Sequence, residues 1–284
     1  MTNWLRSGLI STLVRATIAV LSSVSLAILS ISCGGAGQEL LLGATTSIDD
    51  SGLLDELVAA FEDDSGYHVK PIVQGSGQIL KLARNGELDA TMTHSPSDEE
   101  ALVDDGYGAD RTPFMQNYFE LVGPEDDPAG VANAASIPDA LRAIAESGSP
   151  FVSRGDLSGT HKRELAYWVD AGIEPGGNTW YSESATGQGQ TLSLASDRSA
   201  YTLVDSSTFA TMRDRLNLSL LLTDEQKPNV YSVVRLNSDR LTHVNHKAAQ
   251  AWIEFITGER AQQIIAQFGV EEYGEALFEA LLLN

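Results

Sequence analysis

The sequence predicts an α/β chain of two lobes with a ligand cleft between them, and three observations carry that expectation. Apolar, strand-like runs alternate with amphipathic, helix-like runs along most of the chain. Two such blocks flank the turn-rich stretch Gly123-Pro124-Glu125-Asp126-Asp127-Pro128-Ala129-Gly130, which suits a passage between domains. At 284 residues the chain is also long enough for about two domains.

Taken in order, Cys33 to Gln38 reads as a short tether, and residues 39–44 form an apolar strand. Residues 51–61 place Leu53, Leu54, Leu57, Val58 and Phe61 at helical spacing. A second strand over 68–74 runs through Gly75-Ser76-Gly77 into a helix holding Ile79, Leu80, Leu82 and Ala83, which Asn85-Gly86 closes. Residues 88–94 form a third strand, and the alternation calls for parallel strands with right-handed crossovers. A strand over 118–122 leads to the turn-rich stretch. The second block then has a helix near 137–146, a strand over 151–153, a helix over 161–171 stopped by Gly172, and a strand over 201–205. Residues 230–236 make the last strand, followed by helices over 244–257 and 260–268. The expected organisation is residues 1–32 as a leader, 33–38 as the tether, 39–120 as the first part of lobe I, 121–229 as lobe II, and 230–284 returning to lobe I.

Composition narrows the function. With 43% hydrophobic and 20% charged residues the chain is ordinary for a folded protein. Its 18 basic residues stand against 39 acidic ones, a net charge of −21. A nucleic-acid grip needs clustered Lys and Arg, so a nucleic-acid partner is excluded. The first 32 residues hold Arg6, Arg15 and no acid, and end in the apolar run 16–32 before Cys33, the single cysteine. That run of 17 residues with five serines is short for a membrane span, which needs about 20 mostly apolar residues, and the layout is that of a signal peptide. Leu29-Ser30-Ile31-Ser32-Cys33 resembles a bacterial lipobox, with Ser30 where the usual Leu stands. Lipidation of Cys33 is the expectation; cleavage nearby with a free thiol, or an uncleaved anchor, are the alternatives. With one cysteine, no disulfide forms within the chain.

Chemistry concentrates in four loops between strands and helices: Ala44-Thr45-Thr46-Ser47, Gly75-Ser76-Gly77, Ser158-Gly159-Thr160 and Gly187-Gln188-Gly189. A helix start exposes unpaired N–H groups, glycine lets backbone approach closely, and Ser or Thr adds a donor, so such loops suit an oxyanion. The competing reading is that each hydroxyl caps its helix and each glycine serves a turn. Arg154, six residues before Thr160, adds a guanidinium fork suited to a small dianion, or else pairs with Asp156. Asp49 and Asp50 would repel an anion and are expected to face the next helix. Ser158 with His161 gives a thin hydrolase alternative. His243-Val244-Asn245-His246 lacks the glutamate and spacing of a zinc protease, so no metal and no cofactor are expected.

These motifs together resemble the tungstate-binding solute receptors of bacterial ABC transporters, a branch of the type II periplasmic binding proteins. The likeness rests on Thr45-Thr46-Ser47-Ile48-Asp49-Asp50-Ser51-Gly52-Leu53-Leu54, on Arg154-Gly155-Asp156-Leu157-Ser158-Gly159-Thr160-His161-Lys162, and on Gly75-Ser76-Gly77-Gln78 and Gly187-Gln188-Gly189-Gln190. Ala44 stands where the family's first Thr is usual. The resemblance implies a two-lobed periplasmic-binding-protein fold and no catalysis. The oxyanion, tungstate or molybdate, would be held by Thr45, Thr46, Ser47, Ser76, Arg154, Ser158, Gly159, Thr160, Gly187 and Gln188. A permease and its ATPase would be the partners, with the protein in the periplasm or on the outer face of the cytoplasmic membrane through its lipid. Phosphate and sulfate receptors of the same fold are the near alternatives; phosphate carries a proton that needs an acceptor, for which Asp49, Asp50 or Asp156 are candidates. Mass spectrometry of the processed N-terminus should find residues 1–32 absent and lipid on Cys33. An intact Met1 or an unmodified mature N-terminus would refute this.

Overall fold

The computed structural model describes residues 38–283; the leader and Cys33 lie outside them. β1 (Glu39–Thr45) is followed by the short α1 (Thr46–Asp50) and α2 (Leu53–Ser65), then β2 (His68–Gln74), α3 (Ser76–Asn85), β3 (Ala90–Thr93), α4 (Pro96–Asp104) and the 16-residue β4 (Gly108–Gly123). α5 (Ile137–Ser147), β5 (Phe151–Ser153), α6 (Gly159–Ala171), β6 (Tyr181–Glu183), α7 (Gln188–Asp197), β7 (Thr202–Asp205) and α8 (Ser206–Met212) come next. The 18-residue β8 (Ser219–Leu236), α9 (His246–Ile256), α10 (Glu259–Gln267), α11 (Val270–Tyr273) and β9 (Glu279–Ala280) complete the order.

Local chemistry accounts for the boundaries. Ser136 accepts from Asp139 N to open α5, and Gly148 at φ 66° closes it, where a side chain would be strained. β1 needs Gly43 because a Cβ there would lie 2.6 Å from Ile79 Cγ2 and from Leu88 Cδ1. That close approach lets α3 lie on the strand that carries the first donor loop.

β1 pairs in parallel with β2 and β3, as the alternation predicts. Within that sheet the expectation of parallel strands holds no further. β8 pairs antiparallel with β3 and β4, and β4 antiparallel with β7, so the sheet order β2-β1-β3-β8-β4-β7 is mixed. β5 and β6 form a separate parallel pair. β4 begins ten residues before the expected strand, its early half being polar at Asp110, Arg111 and Thr112 and holding Pro113. β8 begins well before residue 230. The pairing of β4 with β8 jumps from Asn117–Asn229 to Phe119–Asp224, which leaves residues 225–228 out of the ladder.

Two cores flank that jump. Leu40, Leu42, Leu57, Phe61, Phe114, Met115, Tyr231, Trp252 and Ile265 pack in one lobe. Phe119, Leu121, Leu141, Ile144, Phe151, Trp168, Tyr201 and Leu203 pack in the other. β4 and β8 make the crossing themselves. The turn-rich stretch belongs to the second core, where Ala129 N donates to Tyr201 Oη (2.9 Å) and Tyr201 Oη donates to Asp127 Oδ1 (2.8 Å).

Glu164, on the buried face of α6, accepts from Trp168 Nε1 (3.1 Å) and Tyr181 Oη (2.9 Å). Burial pushes its carboxyl up to about 7 from 4.5, against the hydrogen bonds that oppose the rise. A carboxyl raised in the folded state binds its proton more tightly there, so its contribution is complete below 4.5 and is lost as pH rises through about 7. Glu164→Gln should flatten that fall by about 3 kcal/mol, read from denaturant unfolding at several pH values. Glu120, pushed up to about 8 first by burial, keeps a residual slope in the variant.

Candidate functional site

The donor loops gather where the two lobes face each other. A Cβ on Gly75 would lie 3.9 Å from Ser158 Cβ, and one on Gly77 would lie 3.9 Å from both Leu157 O and Lys162 Nζ. First-lobe backbone thus lies against the second-lobe loop. A Cβ on Gly159 would sit 2.6 Å from His94 Cε1, and His94 N donates to Ser76 Oγ (3.4 Å). Lys162 pairs with Asp98 across the same boundary, both side chains partly exposed.

Each loop treats its helix start differently. Thr45, Gly75 and Gly187 occupy cap positions without a side-chain cap bond, so N–H groups at the starts of α3 and α7 are left for another partner. Ser158 does cap: its Oγ accepts from His161 N (3.3 Å). Thr45 Oγ1 and Ser47 Oγ, both buried, share a 3.2 Å hydrogen bond. Thr46 is half-buried beside them and Gly187 is exposed.

Arg154 is 4% exposed. It donates through Nη2 to Asp156 Oδ2 (2.5 Å) and through Nη1 to Gln188 Oε1 (3.4 Å), so the ion pair weighed in the sequence forms. The guanidinium nevertheless keeps a buried Nε without a partner, and Thr160 Oγ1 is likewise buried and unpartnered. An unpaired buried donor costs roughly 1–3 kcal/mol, so two in one loop make this loop a candidate for holding a ligand oxygen. Burial raises the Asp156 carboxyl, but Arg154 and the Ser158 donors outweigh it and hold it below its ordinary value. Asp50 is raised, first by burial and then by Asp49 and Asp205.

The hydrolase pairing does not form. Ser158 Oγ is engaged with His161 N, while the imidazole Nδ1 accepts from Leu157 N (2.9 Å). His243 and His246 bond to the carbonyls of Gly86 and Leu241 respectively. Among the described residues no cluster of three metal-ligating side chains exists, and no helix is long and apolar enough to cross a membrane.

The chain is similar to known proteins over most of its length. The PBP superfamily domain matches residues 32–260. The tungstate-binding protein TupA of Peptoclostridium acidaminophilum is 40% identical over 242 residues, 84% of this chain and 84% of its own. A second TupA, from Campylobacter jejuni, is 31% identical over 78% of this chain and 84% of its own. The crystal structure of the tungstate ABC transporter from Geobacter sulfurreducens is 37% identical with a TM-score of 0.75, covering 82% of this chain and 100% of that one. The chain belongs to the PBP superfamily, in the family of the tungstate-binding proteins.

In this tungstate-binding-protein family member the sequence reading missed residues that the fold adds to the cleft. Asp205 opens α8 by accepting from Thr208 N (3.0 Å), Thr208 Oγ1 (2.8 Å) and Ser207 Oγ (2.6 Å). α8 lies against α1 and so brings a fifth helix start to the Thr45 loop. Asp205-Ser206-Ser207-Thr208 after a strand is a capping pattern, and that was the available signal. Asn117, Asn229, Tyr231 and His94 had none, because they meet only through the pairing of β8 with β4 and with β3.

Gly159→Ala tests the lobe contact. His94 is buried and stacked on Tyr231 with ring centroids 4.8 Å apart, so it cannot yield to a Cβ. The expected cost is about 1–3 kcal/mol in thermal or chemical unfolding, typical of overpacking. An unchanged midpoint would mean that the two lobes separate freely at this contact.

Proposed function

We propose that this chain is an extracytoplasmic receptor that captures a tetrahedral oxyanion, tungstate with molybdate next, and delivers it to an ABC-type importer. The observation that carries the reading is the pair of buried, unpartnered donors, Arg154 Nε and Thr160 Oγ1, beside helix starts that lack side-chain caps. The tungstate-binding relatives support the choice of ion.

In this reading Thr45, Thr46, Ser47 and Ser76 hold the ion from lobe I, and Arg154, Ser158, Gly159, Thr160, Gly187 and Gln188 hold it from lobe II. Capture involves no covalent chemistry: the open cleft admits the anion, contacts from both lobes favour the closed state, and β4 and β8 flex between the two. Lobe I spans 39–120 and 230–284, lobe II spans 121–229, and lipid on Cys33 holds the receptor at the membrane beside its permease and ATPase. Phosphate is disfavoured because it needs a proton acceptor. Of the candidate acceptors, Asp156 already accepts at Oδ2 from Arg154 and at Oδ1 from Ser158 N (3.0 Å), and Asp49 and Asp50 are exposed.

Calorimetric titration of the mature protein with tungstate, molybdate, sulfate and phosphate tests the reading. Tungstate should bind far more tightly than phosphate near neutral pH. Arg154→Ala loses a charge-assisted hydrogen bond worth roughly 1.5–3 kcal/mol, a ten- to hundredfold weakening. Arg154→Lys should recover only part, since an ammonium cannot reproduce the planar fork. Affinity within about twofold of the parent in a folded Arg154→Ala protein would make Arg154 a structural ion-pair partner and move the site elsewhere.

A further inference from the structure

A continuous line of buried polar side chains runs through the crossing strands to the Thr45–Ser47 pair, and from Asp205 to Tyr231 its hydrogen bonds have one direction. The direction starts at Asp205, a carboxylate that can only accept. Asn117 therefore turns its amide nitrogen toward Asp205 Oδ1 (3.2 Å) and Ser207 Oγ (3.1 Å), leaving its oxygen to Asn229. Asn229 must then offer Nδ2, which donates to Asn117 Oδ1 (2.8 Å) and, with its second proton, to Tyr231 Oη (3.1 Å). Asn229 Oδ1 is left to accept from His94 Nδ1–H (2.7 Å). Tyr231 Oη has thus received a proton from Asn229, and its own proton is free to go to Ser47 Oγ (3.0 Å).

Ser47 and Thr45 bring two hydroxyl protons. One closes the 3.2 Å bond between them. Whichever residue supplies it, a Tyr231 proton given to Ser47 fills one lone pair there and leaves the other hydroxyl proton over for the cleft. We propose that Tyr231 is a positioning residue that makes the Thr45–Ser47 pair a hydrogen-bond donor and so selects ligands whose oxygens carry no proton. The proposal rests on the receptor reading above. Burial, with Asp205 adding, raises the Tyr231 hydroxyl well above its ordinary value, so it keeps the proton it donates. Burial lowers His94 and keeps its imidazole neutral, which leaves one ring proton for Asn229.

Without the Tyr231 proton, the Thr45–Ser47 pair is free to turn round and accept from a protonated ligand. Tyr231→Phe keeps the ring that stacks on His94 and meets Phe278 edge-on at 5.8 Å. Calorimetry with sodium tungstate and sodium phosphate should then show tungstate binding about tenfold weaker and a narrower tungstate-to-phosphate preference. In a Ser47→Ala background the same substitution should change nothing further. A merely structural tyrosine would weaken both anions alike, with or without Ser47. An unchanged preference in a folded Tyr231→Phe protein, in a parent that does bind tungstate, overturns the inference alone. A parent that binds no oxyanion overturns the receptor reading and the inference with it. Should Tyr231→Phe not fold, NMR of the parent decides the matter. The buried Tyr231 hydroxyl proton should show a nuclear Overhauser contact to the Ser47 methylene, and a contact to the Asn229 amide instead would reverse the chain and refute the proposal.

Discussion

Two strands must cross from one hydrophobic core to the other while a polar cleft opens above them, and polar groups buried at such a crossing must find partners there. An unsatisfied buried donor or acceptor costs more than a formed hydrogen bond contributes. Asn117 and Asn229 meet this constraint by pairing with each other at the place where the ladder of β4 and β8 breaks. Their remaining bonds reach Asp205 in one lobe and, through Tyr231, Ser47 in the other. Both cleft walls are thereby tied by hydrogen bonds to one pair of residues at the crossing.

Electrostatics sharpen the picture. A chain with net charge −21 repels anions at long range, and the carboxylates of Asp50, Asp156 and Asp205 lie near the candidate site. Long-range steering therefore opposes capture, and affinity has to come from short, desolvated hydrogen bonds. Arg154 fits that economy of charge: its guanidinium is balanced by Asp156, yet it keeps a directed donor in Nε. The ion pair and the ligand-binding role, opposed in the sequence, are compatible because the fork has more than one edge.

The legible parts of the sequence were those whose meaning is local. β1, α2, α3, α6 and α9 announce themselves by apolar spacing and by end signals such as Gly86 and Gly172. The four donor loops stand out because glycine and hydroxyls cluster between strand and helix. α4 hid because its buried face is little more than Glu99 and Leu102. The early half of β4 hid behind Asp110, Arg111, Thr112 and Pro113, since an antiparallel strand tolerates polar and imino residues that a central parallel strand would not. Asn117 and Asn229 are lone polar residues more than a hundred positions apart, and only strand register makes them neighbours.

The meeting of the lobes combines two kinds of contact. His94, stacked on Tyr231 and pressed against Gly159, is buried and indifferent to salt. Lys162 and Asp98 bridge the same boundary with side chains 41% and 39% exposed, within reach of mobile ions that screen charge over about 8 Å at physiological ionic strength. In the proposed receptor the dwell time of a captured ion would then have two components. The packing sets a floor that ionic strength leaves alone, while the exposed bridge lengthens residence in dilute medium and releases it in brine.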